Sequence, residues 1–200
     1  MNRWIILLLG MIANLAQGVA YAASVLRNPM MNDLLGITDP AKVLSAWAVI
    51  FTMTVCFIPL GMLVAGRLEK ISHRLPIAIG AVMYGFGVFI SAYVTDFYIL
   101  CLTFGFFLSF ASGLVYGTIV ANSVRWFPDR KGLASGLVVG ALGFGPVWIA
   151  LLCSGLLAND FTIQQVLNIL GIICFLAISA ALLMPAPPQP QGATRSHKEQ

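Results

Sequence analysis

The chain has 200 residues, of which 60% are hydrophobic and only 9% are charged, and its mean hydropathy is +0.93. Soluble domains carry roughly 25% charged residues, so this composition excludes an ordinary soluble domain and predicts an integral membrane protein. The formal net charge of +4 follows from a bias of cations toward the loops of one side, and it requires no nucleic-acid partner.

Six apolar stretches that contain no Asp, Glu, Lys or Arg divide the chain. A membrane-spanning helix needs about 20 apolar residues to cross the ~30 Å hydrocarbon core of a bilayer. The sequence therefore predicts an all-α membrane protein in which residues 1–184 form one transmembrane domain of six helices. The predicted helices cover approximately residues 4–26, 43–66, 76–93, 97–124, 132–157 and 161–184.

The cations of the chain fall mainly in the loops of one side. When the loops are assigned alternately to the two sides, nine of the eleven Lys and Arg residues share a side with both termini. Arg27 and Lys42 fall on the other side. Because cytoplasmic loops carry the excess of Lys and Arg, we expect a multi-pass protein of the inner or plasma membrane with both termini in the cytoplasm. The Pro-rich stretch Pro185–Gln200 predicts a disordered cytoplasmic tail or linker.

The second half of the first predicted helix is unusually polar. Asn14, Gln17, Tyr21 and Ser24 lie close to one flank of this helix, and an unsatisfied polar group costs several kcal/mol in hydrocarbon. The stripe is therefore expected to face protein or water. Two interpretations stay open, namely hydrogen bonding between helices and the lining of a substrate cavity.

Two proline dipeptides mark an outer loop after the first helix. Asn28-Pro29 and Asp39-Pro40 are expected to end helices, because the residue before proline disfavours helical geometry. The loop is thus predicted over Arg27–Lys42. Asp39 followed by Pro40 also predicts the N-cap and the first residue of a short lead-in to the second helix.

A short pattern recurs in the first and fourth predicted helices. In both, a polar residue is followed at the same spacing by Gly and then Tyr: Asn14, Gly18 and Tyr21, and then Ser109, Gly113 and Tyr116. The match indicates an internal repeat, although chance or packing could also produce it. Tyr21 and Tyr116 are our first choice for cavity-lining residues.

A charged hairpin, SVRWFPDRKGLASG, covers residues 123–136 between the fourth and fifth helices. Arg125 would cost ~2.5–3.5 kcal/mol at the bilayer centre, so the fourth helix must reach water there. Pro128 disfavours helix at the preceding residue. Asp129 lies near the N-terminus of the next helix, where the helix dipole stabilises an acid.

The fifth predicted helix is rich in glycine. Gly132, Gly136 and Gly140 recur at every fourth residue, and such a smooth stripe predicts close packing against another helix. The four cysteines lie in apolar stretches without CxxC spacing, and no His, Asp, Glu or Lys lies within a predicted helix. We therefore predict no metal site, no cofactor and no enzyme active site.

These features resemble the N-terminal six-helix half of a major facilitator superfamily transporter. The segment from Arg125 to Gly136 resembles the Lys/Arg-Trp-Phe-Pro-Asp/Glu-Arg-Arg/Lys-Gly-Leu segment of the oxalate/formate antiporters and the related monocarboxylate transporters. The loop after the second helix is similar to the family pattern Gly-x-x-x-Asp-Arg-x-Gly-x-Arg at Arg74, with Glu69 and Lys70 in place of its Asp and Arg.

The resemblance implies two inverted three-helix repeats and a mid-membrane site between two halves. It implies secondary transport of small organic anions, such as mono- or dicarboxylates, by alternating access. The chain would be one half, paired with a second six-helix half or another copy of itself. The cavity would be lined by Asn14, Gln17, Tyr21, Ser24, Ser109 and Tyr116. The cytoplasmic gate would contain Glu69, Lys70, Arg74, Arg125, Asp129, Arg130 and Lys131. The alternative is a non-transporting truncated remnant or an accessory membrane subunit.

Overall fold

The structure is a computed structural model that describes residues 2–186, except for the side chains of Ala20, Ala23 and Ser24. Every regular element within this range is helical. The tail predicted over Pro185–Gln200 therefore lies almost entirely outside the described residues, since only its first two residues fall within them.

Eight α-helices follow one another along the described chain. In order they are α1 Arg3–Ala16, α2 Ala23–Pro29, α3 Pro40–Leu68, α4 Leu75–Ser91, α5 Phe97–Leu100, α6 Leu108–Trp126, α7 Lys131–Ala158 and α8 Ile163–Ala180. Two 3-10 segments occur at Gln17–Tyr21 and Ala181–Leu183. Two π-helical segments occur at Met30–Leu34 and Cys101–Phe107. The second of these joins α5 to α6, so that the two form one helix.

Four helices are long and apolar enough to cross a membrane: Pro40–Leu68, Phe97–Trp126, Lys131–Ala158 and Ile163–Leu183. Two shorter apolar helices cover Arg3–Val19 and Leu75–Ser91. All six lie where the sequence predicts helices. The two short helices have 17 residues each when counted over these bounds, which at ~1.5 Å per residue corresponds to about 25 Å.

The chain between residues 17 and 34 differs from the prediction. The sequence predicts one helix over residues 4–26 and then a loop, but α1 ends at Ala16 and gives way to the 3-10 segment Gln17–Tyr21. Helical structure then resumes and continues to Leu34. Pro29 is the last residue of α2, but the backbone stays helical after it, because a π-helical turn follows directly. The expectation that Pro29 ends the helical structure is therefore wrong.

The helix that follows begins where the sequence predicts. The Asp39 carboxylate accepts a hydrogen bond from the Ala41 amide at 3.0 Å, and Pro40 occupies the first turn, where its missing N–H group is not needed. Asp96 starts the fourth apolar helix in the same way, since its carboxylate accepts the Tyr98 amide at 2.8 Å. Aspartate caps therefore define both helix starts.

Glycines allow the helices to approach closely at three crossings. The paired glycines are Gly18 with Gly145 (first span and α7), Gly61 with Gly113 (α3 and α6), and Gly85 with Gly171 (α4 and α8). At the first two crossings, a Cβ atom on either glycine would lie against the backbone of the partner helix. A side chain at these positions would therefore force the two helices apart.

The glycine stripe predicted in α7 does not pack inside the described chain. Gly132, Gly136 and Gly140 are exposed, and a Cβ atom built on any of them would lie more than 4 Å from every atom of the other described helices. For contacts within the described residues, the prediction of close packing is therefore wrong. The close approach of α7 to the first span occurs further along the helix, at Gly145.

Candidate functional site

The polar stripe of α1 forms a hydrogen-bonded network inside the bundle. Gln17 donates from Nε2 to Asn14 Oδ1 at 2.8 Å, and its Oε1 accepts the Ser112 hydroxyl of α6 at 2.8 Å. Asn14 in turn donates from Nδ2 to the Val138 carbonyl of α7 at 3.1 Å. All three polar side chains are buried, so the network ties three helices together.

The two tyrosines of the repeated pattern lie near each other beside this network. Tyr21 and Tyr116 each follow a network residue by four positions. The segment Gln17–Tyr21 packs against α6, which brings the two phenols within electrostatic range of each other. Tyr21 is 39% exposed, and Tyr116 is partly buried. The pair can therefore be reached from outside the described chain, as a cavity-lining position requires.

The other two predicted cavity residues are Ser109 and Ser24, and the structure describes the side chain of Ser109 only. Ser109 is buried, and its hydroxyl has no hydrogen-bond partner among the described residues. The side chain of Ser24 lies outside what the structure describes. The buried Ser112, which the sequence places in the fourth helix without a role, is the residue that joins this helix to Gln17.

At the predicted cytoplasmic end, an ion pair joins the end of α3 to the end of α6. Arg125 Nη2 lies 3.3 Å from Glu69 Oε2. Burial raises the pKa of the Glu69 carboxyl above its usual value. The Arg125 guanidinium and, to a smaller extent, the nearby His73 and Thr118 oppose this rise. Because burial dominates, Glu69 takes up a proton more readily than a free glutamate does.

A second ion pair joins α1 to the hairpin before α7. Arg3 Nη1 lies 2.9 and 3.1 Å from the two carboxylate oxygens of Asp129, and its guanidinium lies 5.2 Å from the centre of the Phe127 ring. Arg130 Nε lies 4.0 Å from the same carboxylate. Arg3 was not among the predicted gate residues, because it is 126 positions away from its partner in sequence.

The seven predicted gate residues do not form a single network in the described chain. Four of them take part in ion pairs: Glu69 pairs with Arg125, and Asp129 pairs with Arg3 and lies within 4.0 Å of Arg130. The other three, Lys70, Arg74 and Lys131, are exposed and form no ion pair with any described residue. The two pairs instead connect two different sets of helix ends.

Replacing Glu69 with glutamine should change how stability depends on pH. The folded-state pKa of Glu69 is raised, so the stability that its protonation contributes is fully present below the unfolded pKa and is lost as pH rises through the folded pKa. The unsubstituted protein should therefore gain stability relative to Glu69→Gln as pH falls through the folded-state pKa toward about 4.3, the ordinary pKa of glutamate. Thermal unfolding of the protein in detergent across this range measures the difference.

The matched control is Asn32→Ala, which truncates an exposed polar side chain and removes no titratable group. It should therefore keep the pH slope of the unsubstituted protein. Parallel melting curves for Glu69→Gln and the unsubstituted protein at every pH would show that Glu69 does not titrate as its burial predicts.

The described helices form a multi-pass bundle in which a buried hydrogen-bonded network joins the first apolar helix to α6 and α7, an arrangement compatible with a membrane transport protein. The model of the Major Facilitator Superfamily matches residues 3–200, and the chain belongs to this family. Members of the family are transporters and not enzymes, so the prediction that the chain is not an enzyme is confirmed.

Several curated proteins are similar to this chain. It is 29% identical over 191 residues to the uncharacterized MFS-type transporter YhjX of Escherichia coli, which covers 94% of the chain and 46% of the relative. It is 31% identical over 148 residues to the oxalate:formate antiporter of Oxalobacter formigenes, covering 72% of the chain and 33% of the relative. It is 28% identical over 146 residues to human monocarboxylate transporter 14, covering 72% and 28%. The chain thus spans about half or less of the length of these relatives.

Proposed function

We propose that this chain is one half of a secondary active transporter that moves small organic anions, such as mono- or dicarboxylates, by alternating access. The observation that carries the proposal is the proximity of Tyr21 and Tyr116 beside a buried network of amides and hydroxyls. The similarity to an oxalate:formate antiporter and to a monocarboxylate transporter favours organic anions as the substrate class. The predicted cytoplasmic position of the two ion pairs suits a gate that opens and closes one end.

The glycine crossings support an organisation of two inverted three-helix repeats. In such a repeat the first apolar helix corresponds to the fourth and the second to the fifth. Gly18 and Gly113, the glycines of the repeated sequence pattern, both lie at crossings. Their partners Gly145 and Gly61 each lie within two residues of a proline inside a helix. The contact between first and fifth helices thus has the same design as that between fourth and second.

The exposed face of α7 supports the proposal of a second half. The unpacked glycine stripe adjoins a groove of about 400 Å³ between α1 and α7. The groove is apolar and is lined in part by Leu8, Met11, Ile12, Leu137, Ala141 and Phe144. A smooth glycine surface of this kind suits close packing of another helix. Because the chain covers less than half of each relative described above, a second six-helix half or another copy of the chain is the proposed partner.

The chemistry of the side chains proposed for the cavity also supports a transporter made of two halves. A carboxylate substrate in the membrane interior needs a cationic partner. The side chains that we propose for the cavity are amides, hydroxyls and phenols, and none of them carries a positive charge. We propose that the second half supplies the cation, while this chain supplies hydrogen-bond donors.

Uptake experiments test the proposed function and its site. Tyr21→Phe and Tyr116→Phe each remove one phenol hydroxyl, and loss of a substrate hydrogen bond of about 1.4 kcal/mol reduces transport about tenfold. Vesicles that contain this chain together with a matching second half, supplied with labelled oxalate, formate and other small carboxylates, provide the measurement. Tyr98→Phe is the control, since Tyr98 is 81% exposed at a helix end, and it should transport normally.

Two outcomes would contradict the proposal. The absence of uptake across the whole carboxylate panel would refute transport of this substrate class and would favour the non-transporting remnant or accessory subunit. Normal uptake by both tyrosine variants, with folded protein at normal levels, would refute the assignment of Tyr21 and Tyr116 to the substrate cavity.

A further inference from the structure

Three consecutive backbone carbonyls at the end of α1 accept hydrogen bonds from side chains of three other helices. The bonds are Trp148 Nε1 to the Leu15 oxygen at 2.9 Å, Cys174 Sγ to the Ala16 oxygen at 3.2 Å, and the Tyr84 hydroxyl to the Gln17 oxygen at 2.8 Å. The donors belong to α7, α8 and α4, respectively. We refer to these three donor side chains as the clamp.

The clamp lies where the helical hydrogen-bond ladder changes. In an α-helix each carbonyl accepts the amide four residues ahead, whereas in a 3-10 helix it accepts the amide three residues ahead. This change occurs at Gln17, directly after α1 ends. Irregular backbone at membrane depth is tolerated only where neighbouring groups satisfy its polar atoms. The clamp supplies donors at the three carbonyls that lead into the change.

The clamp and the turn lie inside the bundle. Tyr84 and Cys174 are fully buried, and Trp148 is partly buried. Gly18 lies so close to Gly145 that the turn packs directly on the backbone of α7. A break held in this way is a specific element of the fold, whereas a frayed helix end would be exposed and unpartnered.

We propose that the clamp holds the turn Gln17–Tyr21 in its 3-10 geometry, so that this turn is a fixed break, here called the hinge, in the first membrane span. The clamp thereby positions Tyr21 beside Tyr116. The clamp residues are positioning residues, because they contact the backbone of the turn and act on the tyrosine pair through it. A role of the hinge in transport rests on the proposed function, whereas the clamp itself can be tested without any substrate.

Hydrogen exchange of the purified chain in detergent, followed by mass spectrometry, tests the clamp. In Tyr84→Phe and in Trp148→Phe, the amides of Gly18–Leu26 should exchange about fivefold faster, as expected for loss of one hydrogen bond that opposes local opening. The matched controls are Tyr93→Phe and Trp47→Phe. Tyr93 lies two residues after the end of α4, and its hydroxyl accepts a hydrogen bond from Asn168 Nδ2 at 2.8 Å. The Trp47 indole has no hydrogen-bond partner among the described residues. Both controls should leave exchange in this segment unchanged.

A second measurement reports on the tyrosine pair itself. The chain contains five tyrosines, which can be labelled with 3-fluorotyrosine and assigned by ¹⁹F NMR through single Tyr→Phe variants. In Trp148→Phe the resonances of Tyr21 and Tyr116 should shift, while that of the distant, exposed Tyr98 should not. Trp47→Phe should leave all of these resonances in place.

Each outcome decides the proposal. Unchanged or slower exchange in the segment, or faster exchange spread equally over all helices, would overturn the clamp, and so would unshifted resonances for the tyrosine pair. If Tyr84→Phe does not fold, Cys174→Ala takes its place, because it removes a single sulfur atom from the same set of donors. Failure of uptake together with the expected exchange result would refute the transport proposal and leave the clamp standing.

Discussion

The substitution Gly113→Ala should destabilise the bundle by about 3 kcal/mol. Its new methyl group would contact the Ile58 carbonyl and would lie 2.9 Å from Gly61 Cα. Overpacking costs typically 1–3 kcal/mol, and more when the structure cannot yield. The atoms in the way belong to the backbone of α3, which cannot move aside as a flexible side chain can, so the cost should reach the upper end of this range. Unfolding in mixed micelles titrated with SDS measures it.

The control lies one helical turn away in the same helix. A Cβ atom at Gly117 would have Met62 Cγ as its nearest contact, at 3.4 Å, which is an ordinary van der Waals distance. Gly117→Ala should therefore not destabilise the bundle, because the methyl group fits and alanine favours the helix over glycine by roughly 1 kcal/mol. Equal stability of Gly113→Ala and Gly117→Ala would contradict the close crossing. The proposed inverted repeat adds that Gly18→Ala should cost about as much as Gly113→Ala.

The positions of the apolar helices could be predicted from sequence because burial in hydrocarbon is a local property. A stretch without charges either is or is not long enough to span a membrane, and no distant residue changes that. The cap at Asp39 is local for the same reason, since donor and acceptor are two residues apart. Features of this kind were predicted correctly without knowledge of the packing.

The break in the first span could not be predicted in this way. Its carbonyls are satisfied by side chains that lie 67, 133 and 158 residues further along the chain. Periodicity within residues 4–26 contains no trace of these partners, so the sequence favoured a continuous helix. The pair of Arg3 and Asp129 escaped prediction for the same reason.

The spacing of the glycines in α7 does not by itself predict which of them contacts another helix. Gly136 and Gly140 have the spacing typical of helix packing, yet within the described chain it is Gly145 that meets another helix. The spacing identifies a smooth surface, whereas the neighbour that uses it depends on the tilt and rotation of the helix. The match between Gly18 and Gly113 was more informative, because it came with a polar residue and a tyrosine in the same order.

The polar stripe of the first span allows the two interpretations that the sequence left open to be separated by experiment. If Gln17 mainly joins helices, Gln17→Leu leaves Asn14 Oδ1 and the Ser112 hydroxyl buried without the partners they have now. Hydrogen bonds between membrane helices average about 0.6 kcal/mol, whereas an orphaned buried group costs ~1–3 kcal/mol. We expect the second effect to dominate, because these side chains are fully buried, and a loss of about 2–4 kcal/mol should result.

The double variant Gln17→Leu/Ser112→Ala provides the decisive comparison. Removing both partners of a buried hydrogen bond is much less costly than removing one, so the added Ser112→Ala should recover part of the loss, about 1 kcal/mol. If the stripe instead lined a water-filled cavity, water would satisfy the groups left behind. Gln17→Leu would then change stability by less than about 0.5 kcal/mol, and the two substitutions would be additive. SDS titration of Gln17→Leu, Ser112→Ala and the double variant distinguishes these cases. If the double variant recovers stability as expected, Gln17 is a structural bridge between helices. Tyr21, four residues further on, is then the residue of this stripe that can contact a substrate.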